Sequence, residues 1–399
     1  MRKAVSVLLI ILLILSFISL PCISEDDKKE WTCMFYMGGD GQPDYISDQV
    51  IKDIKELKET EPNSDINLIV LKDEKGPNNT EIFEIKNNRA VEIQLKSIHH
   101  TWSDELNLGN SDTLRYFIEW SKEKYPADKY FLDLWGHGEG WKGMSLEDTD
   151  YLTLPEIETS LIDNHLDIVG FDACSMGTIE VYYQLKDVTN YIIASEVDEP
   201  ISGWPYKKIF SDLKNEDNVD CEKLVEIIVN NYFEKYKDQN EIPISLTGIY
   251  TKNLPYEEIK NLSSILIDIS DYYHEPLNRS FFNSSLYDDS TKYLDFYEYL
   301  INVKQNINSQ RTNISIKNTL QKMNESIMSH EHTSNKINGY GIHFPSSKKS
   351  VFRYNKLKFS DNLWDEFVRK VSDLKNVSKE RLDFTIKKID RKMNVSISN

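Results

Sequence analysis

The segment that decides the fold reads Ile168-Val169-Gly170-Phe171-Asp172-Ala173-Cys174-Ser175-Met176-Gly177. Its short apolar run is typical of a buried strand of a parallel sheet, and the run ends in an acidic residue and a cysteine. The pattern predicts a helix over residues 175–185, whose first N–H groups would favour a thiolate at Cys174. Ligands of open α/β sheets bind beyond the carboxyl ends of the strands, so Cys174 is predicted to face a substrate.

A second segment of the same kind lies upstream and reads Tyr130-Phe131-Leu132-Asp133-Leu134-Trp135-Gly136-His137-Gly138. If the two strands are neighbours in one parallel sheet, His137 and Cys174 emerge at the same edge, where an imidazole can assist a thiol. A single glycine-flanked histidine after a strand is more often structural. Its pairing with a cysteine at the end of a second strand favours the catalytic interpretation.

The rest of the chain alternates strand and helix patterns. A strand over 31–37 is followed by a helix with an apolar face of Ile46, Val50, Ile51, Ile54 and Leu57, and then by a strand over 66–71. Residues 75–95 predict an antiparallel hairpin, and a last strand is predicted near 341–344. The sequence therefore predicts an α/β fold with a mostly parallel central sheet and helices on both faces.

Composition and charge narrow the class of partner. The chain has 399 residues, 40% of them hydrophobic, which suffices for a large core, and its formal net charge is −18. Such a surface repels phosphate backbones, so nucleic-acid binding is not expected, whereas basic substrates would be attracted. No disulfide framework is predicted, since only Cys33, Cys174 and Cys221 follow the N-terminal segment.

The N-terminal segment predicts export. Met1-Arg2-Lys3 precedes an apolar run over 4–20 and then an acidic cluster, which is the pattern of a signal peptide over residues 1–24. Cleavage is favoured over an uncleaved anchor, because the run lies at the lower limit for spanning a bilayer. We therefore expect a secreted or surface protein that meets a membrane only through such an anchor. One large domain is predicted over 30–371 and a tail over 372–399.

Several motifs together resemble the clostripain-like cysteine peptidases, which share a clan with caspases, gingipains and legumains. The order and spacing of the motifs carry the resemblance, which covers residues 31–371. The motifs are Trp31 to Met37, Leu114 to Trp120 with Tyr125-Pro126-Ala127-Asp128-Lys129-Tyr130, Trp135-Gly136-His137-Gly138 with Gly140-Trp141, Leu152-Thr153-Leu154-Pro155-Glu156, Asp172-Ala173-Cys174 and Gly203-Trp204-Pro205-Tyr206.

The resemblance implies a caspase-like (caspase-haemoglobinase) sandwich and an endopeptidase that cleaves after Arg or Lys through a thioester. It makes Cys174 the nucleophile and His137 its base, and the N–H groups of Gly138 and Cys174 resemble an oxyanion hole. A carboxylate stands at Asp172, where the caspase signature has a neutral residue two positions before the cysteine, which favours a cationic substrate side chain. Whether Arg or Lys is preferred stays open.

Other residues of the predicted pocket are less sharply defined by the sequence. The loop Glu196-Val197-Asp198-Glu199 matches a family segment near the pocket, and Glu196 and Asp198 are expected to add negative potential. Which carboxylate of this loop points inward stays open. Trp204 is interpreted either as a wall of the cleft or as loop packing. Asp172 has an alternative too, because an aspartate near a helix start often acts as a cap.

The resemblance leaves further properties open. We expect a monomer that requires no cofactor, although part of the family depends on calcium. Family precursors are often cut at basic sites between the histidine and the cysteine, but here that loop holds only Lys142. No metal site is predicted, and His330-Glu331-His332 is interpreted as a solvated loop. The alternatives are a catalytically silent binding module, or a transpeptidase or amidase that uses the same thioester.

Overall fold

The computed structural model describes residues 28–40, 44–60, 64–147, 150–214, 216, 218–239, 242–284, 293–344 and 354–373. The predicted signal peptide and the predicted tail beyond residue 373 lie outside these ranges. Within them, no helix combines the length and the apolar composition that crossing a bilayer requires.

The strands alternate along the chain with the helices. The strands are β1 (Lys29–Gly38), β2 (Ile66–Asp73), β3 (Glu81–Lys86), β4 (Arg89–Ile93), β5 (Ala127–Trp135), β6 (His137–Gly138), β7 (Met144–Ser145), β8 (Tyr151–Leu152), β9 (Leu166–Asp172), β10 (Thr189–Ala194), β11 (Ser245–Tyr250), β12 (Tyr293–Asp295), β13 (Ile327–His332) and β14 (Gly341–His343). The helices are α1 (Asp44–Lys58), α2 (Ser111–Lys124), α3 (Leu154–Leu161), α4 (Ile179–Leu185), α5 (Tyr206–Leu213), α6 (Cys221–Tyr236), α7 (Tyr256–Asn283), α8 (Phe296–Asn306), α9 (Gln310–Ser326) and α10 (Trp364–Asp373).

A large sheet forms the centre of the molecule. Among the described residues it has nine strands in the order β13-β11-β10-β9-β5-β1-β2-β3-β4. The five strands β10, β9, β5, β1 and β2 are parallel, and antiparallel strands extend the sheet at both ends. The middle strands are apolar along nearly their whole length because helices cover both faces. The predicted mostly parallel sheet is therefore confirmed.

Two apolar clusters lie on opposite faces of this sheet. Successive side chains of a strand alternate between faces, so Met34 and Tyr36 belong to one cluster while Cys33 and Phe35 belong to the other. The first cluster is completed by α2, α3, α4 and α7 to α10, and the second by α1, α5 and α6. This division confirms the prediction of helices on both faces.

Two details near the amino-terminal half differ from the sequence prediction. Ile51, assigned to the apolar face of α1, is 53% exposed, because Val50, Ile54 and Leu57 already cover the sheet there. The helix predicted from residue 175 begins at Ile179, with the Thr178 side chain accepting a hydrogen bond from the N–H of Val181. Residues 175–178 form a loop instead, and Ser175 has a φ of +58°.

The carboxyl-terminal half also departs from the prediction. Residues 330–332 were interpreted as a loop but belong to β13, which pairs with β11 at the edge of the sheet. The strand predicted near 341–344 is β14, which pairs with β12 in a separate two-stranded sheet. The last helix, α10, reaches Asp373, the last residue that the structure describes. β13 is a polar strand at the edge of the sheet, so its sequence lacks the alternation of apolar and polar residues that predicts a strand.

Candidate active site

Two neighbouring strands bring the predicted catalytic residues to one edge of the sheet. β5 and β9 pair in parallel, and their register sets Trp135 opposite Asp172. His137 and Cys174 each follow two residues after this pair. The carboxyl ends of these strands therefore bring both residues to the same edge of the sheet, as the sequence predicted.

A cavity of about 570 Å³ opens at this edge. It is lined by residues 135–139, 172–175 and 198–201, together with Lys142, Gly203, Ile242 and side chains of α1. His137, Gly138, Asp172, Cys174 and Asp198 thus share one cavity. Enzyme sites commonly take this form, a cleft with a few convergent polar groups at the ends of parallel strands.

Glycine allows the histidine segment to approach the cysteine segment closely. A Cβ atom on Gly138 would lie 2.2 Å from the carbonyl oxygen of Cys174, a distance that no side chain tolerates. Gly136 has a φ of +149°, and a Cβ there would lie 2.7 Å from Leu146. The two backbones therefore pack directly on one another around the cavity.

The Cys174 thiol lies against the loop that follows β10. The N–H of Glu199 donates a hydrogen bond to Sγ at 3.3 Å. Burial raises the pKa of Cys174 to about 11, and the neighbouring carboxylate of Asp198 adds to the rise. The sequence expectation of a thiolate stabilised by a helix start is therefore wrong, because α4 begins four residues beyond Ser175 and the site is desolvated.

Asp172 is a buried wall of the cavity, 5% exposed. Its Oδ2 accepts hydrogen bonds from the N–H of Trp204 at 2.9 Å and from the hydroxyl of Tyr206 at 2.7 Å. The same hydroxyl lies 2.6 Å from Oδ2 of Asp133, and it has only one hydrogen to share. Burial raises the pKa of Asp172, and burial together with the charge of Asp172 raises the pKa of Asp133.

Glu199 is a pocket residue that sequence reasoning did not select. The residue is 9% exposed and lines the cavity, and its carboxyl lies beside that of Asp172. Burial, followed by the charges of Asp172 and Cys174, raises the pKa of Glu199 well above its usual range. Among the residues of loop 196–199, no local pattern indicates which carboxylates turn toward the cysteine.

The other two predicted loop carboxylates separate in the structure. Asp198 lines the cavity, and its Oδ1 lies 3.3 Å from the hydroxyl of Ser175, which donates to it. Glu196 does not line the cavity: its carboxylate is buried elsewhere and accepts a hydrogen bond from the N–H of Gly339 at 2.8 Å. The prediction of a pocket role for Glu196 is therefore corrected.

Trp204 packs beneath the sheet and does not line the cleft. Its indole is fully buried, with the ring edge so close to Gly170 that a Cβ there would lie 2.8 Å away. The packing interpretation is the right one for this side chain. Trp204 contributes to the site through its backbone N–H, which holds Asp172.

Charged groups behind and beside the pocket tune its negative potential. Lys235 of α6 donates to the carbonyl oxygens of Ser202 and Gly203 at 2.6 and 3.1 Å. Burial, followed by the charge of Asp172, raises the pKa of Asp53 to about 8, while Lys235 opposes the rise. Lys142, which lines the cavity, is ion-paired with Glu139. The pocket therefore holds more carboxyl groups than nearby cations.

Comparison with known proteins is consistent with this site and fold. A sequence model described as the clostripain family matches residues 35–380. Clostripain of Hathewaya histolytica is 24% identical over 416 residues, which cover 83% of this chain and 77% of that protein.

Solved structures show the same fold at lower identity. An inactive zymogen C11 protease from Parabacteroides distasonis superposes with a TM-score of 0.66 at 19% identity, covering 84% of this chain and 98% of that one. A secreted C11 cysteine protease from Bacteroides thetaiotaomicron, in complex with an irreversible peptide inhibitor, superposes with a TM-score of 0.62 at 18% identity. The match covers 84% of this chain and 99% of that one. With the family match spanning most of the chain, the protein belongs to the clostripain family and is a cysteine endopeptidase with a caspase-like α/β fold.

Proposed function

We propose that this peptidase works through a dyad of Cys174 and His137 and cleaves peptide bonds after Arg or Lys. The observation that carries the proposal is that the thiol, the imidazole and the buried Asp172 carboxyl line one cavity. A nucleophile, a base and a complementary charge for a basic side chain thus lie within reach of one bound peptide.

The raised pKa of Cys174 favours general-base catalysis in the first step. His137 takes the thiol proton as Sγ attacks the carbonyl carbon of the scissile bond. The carbonyl oxygen becomes an oxyanion that accepts hydrogen bonds from the N–H groups of Gly138 and Cys174. One donor of this kind contributes ~3 kcal/mol in other peptidases. The close approach of Gly138 to Cys174 supports this pairing of donors.

The intermediate then collapses to a thioester. The carbon–nitrogen bond breaks, and the leaving amine takes the proton that His137 holds. His137 then takes a proton from water as the water oxygen attacks the thioester carbonyl. The carbon–sulfur bond breaks, the carboxylic acid product is released, and the sulfur of Cys174 takes the proton back from His137. Each proton taken by the imidazole is thus returned before the next turnover.

The preference for basic side chains rests on the carboxyl groups of the pocket. The Asp172 carboxyl lies at the wall of this pocket, next to Gly203. A Cβ at position 203 would lie 2.7 Å from both of its oxygens, so a side chain there would clash with the carboxyl. Glu199 and Asp198 add negative charge nearby. A guanidinium or ammonium group bound here gains charge-assisted hydrogen bonds in a desolvated site.

We further propose that the protein is secreted and acts as a monomer. The pattern of residues 1–24 supports export, and a C11 protease among the structural relatives is described as secreted. Extracellular peptide or protein segments with accessible Arg or Lys are the corresponding substrates.

The test is hydrolysis of fluorogenic peptides that differ only in the residue before the scissile bond, with Arg, Lys, Gln or Leu at that position. We expect cleavage of the Arg and Lys peptides alone, and its loss in Cys174→Ala. Cys221→Ala is the matched control, because Cys221 lies in α6 and not at the cavity. Cleavage that persists in Cys174→Ala would refute the dyad, and equal cleavage of the Gln peptide would refute the basic preference.

A folded wild-type protein that cleaves none of the peptides, even after limited proteolysis, would favour the silent binding module. Size-exclusion chromatography with light scattering tests the monomer, and N-terminal sequencing of the exported protein tests removal of residues 1–24.

A further inference from the structure

Two exposed isoleucines lie on the wall of the cavity that holds Cys174. Ile201 is 60% exposed and Ile242 is 40% exposed, and both line the cavity. Among the described residues, the other large hydrophobic side chains that are exposed to this degree lie elsewhere on the surface. Isoleucine is usually buried, and apolar surface inside a concave site is surface that a ligand can cover. We call Ile201 and Ile242 the apolar pair.

The order of the strands indicates on which side of Cys174 the apolar pair lies. β9, which leads to Cys174, lies between β10 and β5 in the sheet. His137 follows β5, whereas Ile201 lies in the loop that follows β10. Ile242 precedes β11, which runs antiparallel to β10 on the side away from β9, so the start of β11 lies at the same edge of the sheet. We therefore expect the apolar pair on the side of Cys174 that is opposite to His137.

The loop that carries Ile201 also forms the wall of the proposed pocket for the basic side chain. Glu199, two residues earlier, donates its N–H to the thiol and lines the cavity. Gly203, two residues later, lies so close to Asp172 that a Cβ there would meet the carboxyl oxygens at 2.7 Å. The hydroxyl of Tyr236, at the end of α6, donates to the carbonyl oxygen of Gly203 at 2.6 Å and holds the loop. Ile201 therefore belongs to the same fixed segment as the wall of the pocket.

The proposed mechanism sets the direction in which a peptide crosses the site. Because His137 protonates the leaving amine, the residues after the scissile bond lie on the His137 side of Cys174. The residues before the bond belong to the acyl part and extend to the other side, where the apolar pair is expected. Side chains of an extended peptide alternate in direction, so the side chain that precedes the basic residue points out of the pocket toward its rim.

We propose that the apolar pair binds the side chain that immediately precedes the Arg or Lys of the substrate, and that this side chain is apolar. The inference rests on the proposed function, because the dyad of Cys174 and His137 sets the direction of the peptide. A Leu, Ile, Val or Phe covers the exposed isoleucines, whereas a Ser leaves them in water and an Asp also meets the negative charge of Asp198. One methylene in an apolar site changes discrimination about tenfold or more, so kcat/KM for Leu should exceed that for Ser by at least about tenfold.

The test uses fluorogenic peptides that end in Arg and differ only in the residue before it, which is Leu, Ser or Asp. Wild-type enzyme should cleave them in that order, with a Leu-to-Ser ratio of kcat/KM of about ten or more, and the double variant Ile201→Ser/Ile242→Ser should lower this ratio to about one. Ile162→Ser is the matched control and should keep the ratio, because Ile162 is also 60% exposed but lies at the end of α3, outside the cavity. All three isoleucines are exposed, so the variants should fold, which circular dichroism checks.

A Leu-to-Ser ratio near one in the wild type would overturn the subsite. A ratio that the double variant leaves unchanged would overturn its assignment to Ile201 and Ile242. An equal loss on all the peptides is one such result, and it would place these side chains against the stem of the basic residue.

Sequencing of the cleavage sites in a mixture of peptides separates this inference from the proposed function. The preference for Arg or Lys is read at the residue before the cleaved bond, and the apolar preference is read one residue earlier. Loss of the basic preference alone would refute the proposed specificity and support the subsite. An apolar preference confined to the residues after the cleaved bond would overturn the subsite.

Discussion

The backbone N–H of Glu199 donates a hydrogen bond to Sγ of Cys174 at 3.3 Å, while the Glu199 side chain lines the pocket beside Asp172. One residue thus contacts the proposed nucleophile through its backbone and lines the proposed specificity pocket with its carboxyl. A basic side chain that enters the pocket would act on the same loop that contacts the thiol. The proposed substrate recognition would therefore be joined to the orientation of the thiol in a single segment.

Alkylation of Cys174 should report a protonated thiol. Burial raises the pKa of Cys174 to about 11, so its reaction with iodoacetamide should accelerate about tenfold per pH unit between pH 7 and 10. His137→Ala should follow the same profile, since the imidazole acts only once a substrate carbonyl is attacked. Mass spectrometry of a Cys221→Ala background isolates the signal. A rate that is already constant below pH 8 would show a preformed thiolate–imidazolium pair instead.

Replacing Asp172 by Asn should remove the preference for basic substrates. Loss of one partner of a buried charge pair costs about 2–5 kcal/mol, so kcat/KM for Arg peptides should fall between about 30-fold and several thousand-fold. Iodoacetamide reactivity should change little. Asp133→Asn is the matched control, because Asp133 shares the Tyr206 hydroxyl but does not line the cavity. Equal losses in the two variants would mean that Asp172 acts through the fold.

The strand-end residues were predictable from the sequence because parallel strands fix direction and register together. Once β5 and β9 are neighbours, His137, Asp172 and Cys174 can only emerge at one edge. Loop side chains lack such a constraint. Glu196 turns away because the N–H of Gly339, distant in sequence, provides its hydrogen bond, whereas the Glu199 side chain turns inward beside Asp172.

The electrostatics of the nucleophile were less predictable than its position. The thiolate prediction depended on a helix that starts next to Cys174, but a left-handed Ser175 and the N–H···O bond from Ser175 to Val197 at 3.0 Å delay the helix. Strand β13 was missed for a similar reason, since its polar residues form a strand only through pairing with β11. Both outcomes depend on tertiary contacts that no local pattern encodes.

In the pH profile of kcat/KM for Arg peptides, the midpoint of the acidic limb should lie above the usual pKa of an aspartate. Burial raises the pKa of Asp172, so this carboxyl stays protonated to a higher pH than the usual value of about 3.9, and a cationic substrate requires it ionised. Activity on Arg peptides should therefore rise with pH through this raised pKa. If the midpoint of the acidic limb of kcat/KM lies at or below the usual pKa of an aspartate, Asp172 is not the group that binds the cationic side chain.

Glu199 should influence this limb through a hydrogen bond. A protonated Glu199 lowers the pKa of Asp172 by donating to it, against the larger effect of burial. Glu199→Leu removes the donor and should shift the limb to higher pH, whereas Glu199→Gln keeps an N–H donor and should leave it nearly unchanged. The measurement is kcat/KM for one Arg peptide from pH 4 to 9. Parallel shifts in both variants would show that Glu199 acts through its charge.

Gly138→Ala should disable the enzyme while the protein still folds. The added Cβ would lie 2.2 Å from the carbonyl oxygen of Cys174, which is backbone and cannot rotate away, so the two segments must separate. A displacement of about 1 Å costs roughly 100-fold in rate, and we expect at least that loss in kcat with a smaller change in KM. Gly109→Ala is the control, since its Cβ would crowd mainly side-chain atoms of Asn107 and Asp150, far along the chain from the cavity residues. Circular dichroism checks folding, and a Gly138→Ala enzyme with wild-type kcat would show that the oxyanion is stabilised elsewhere.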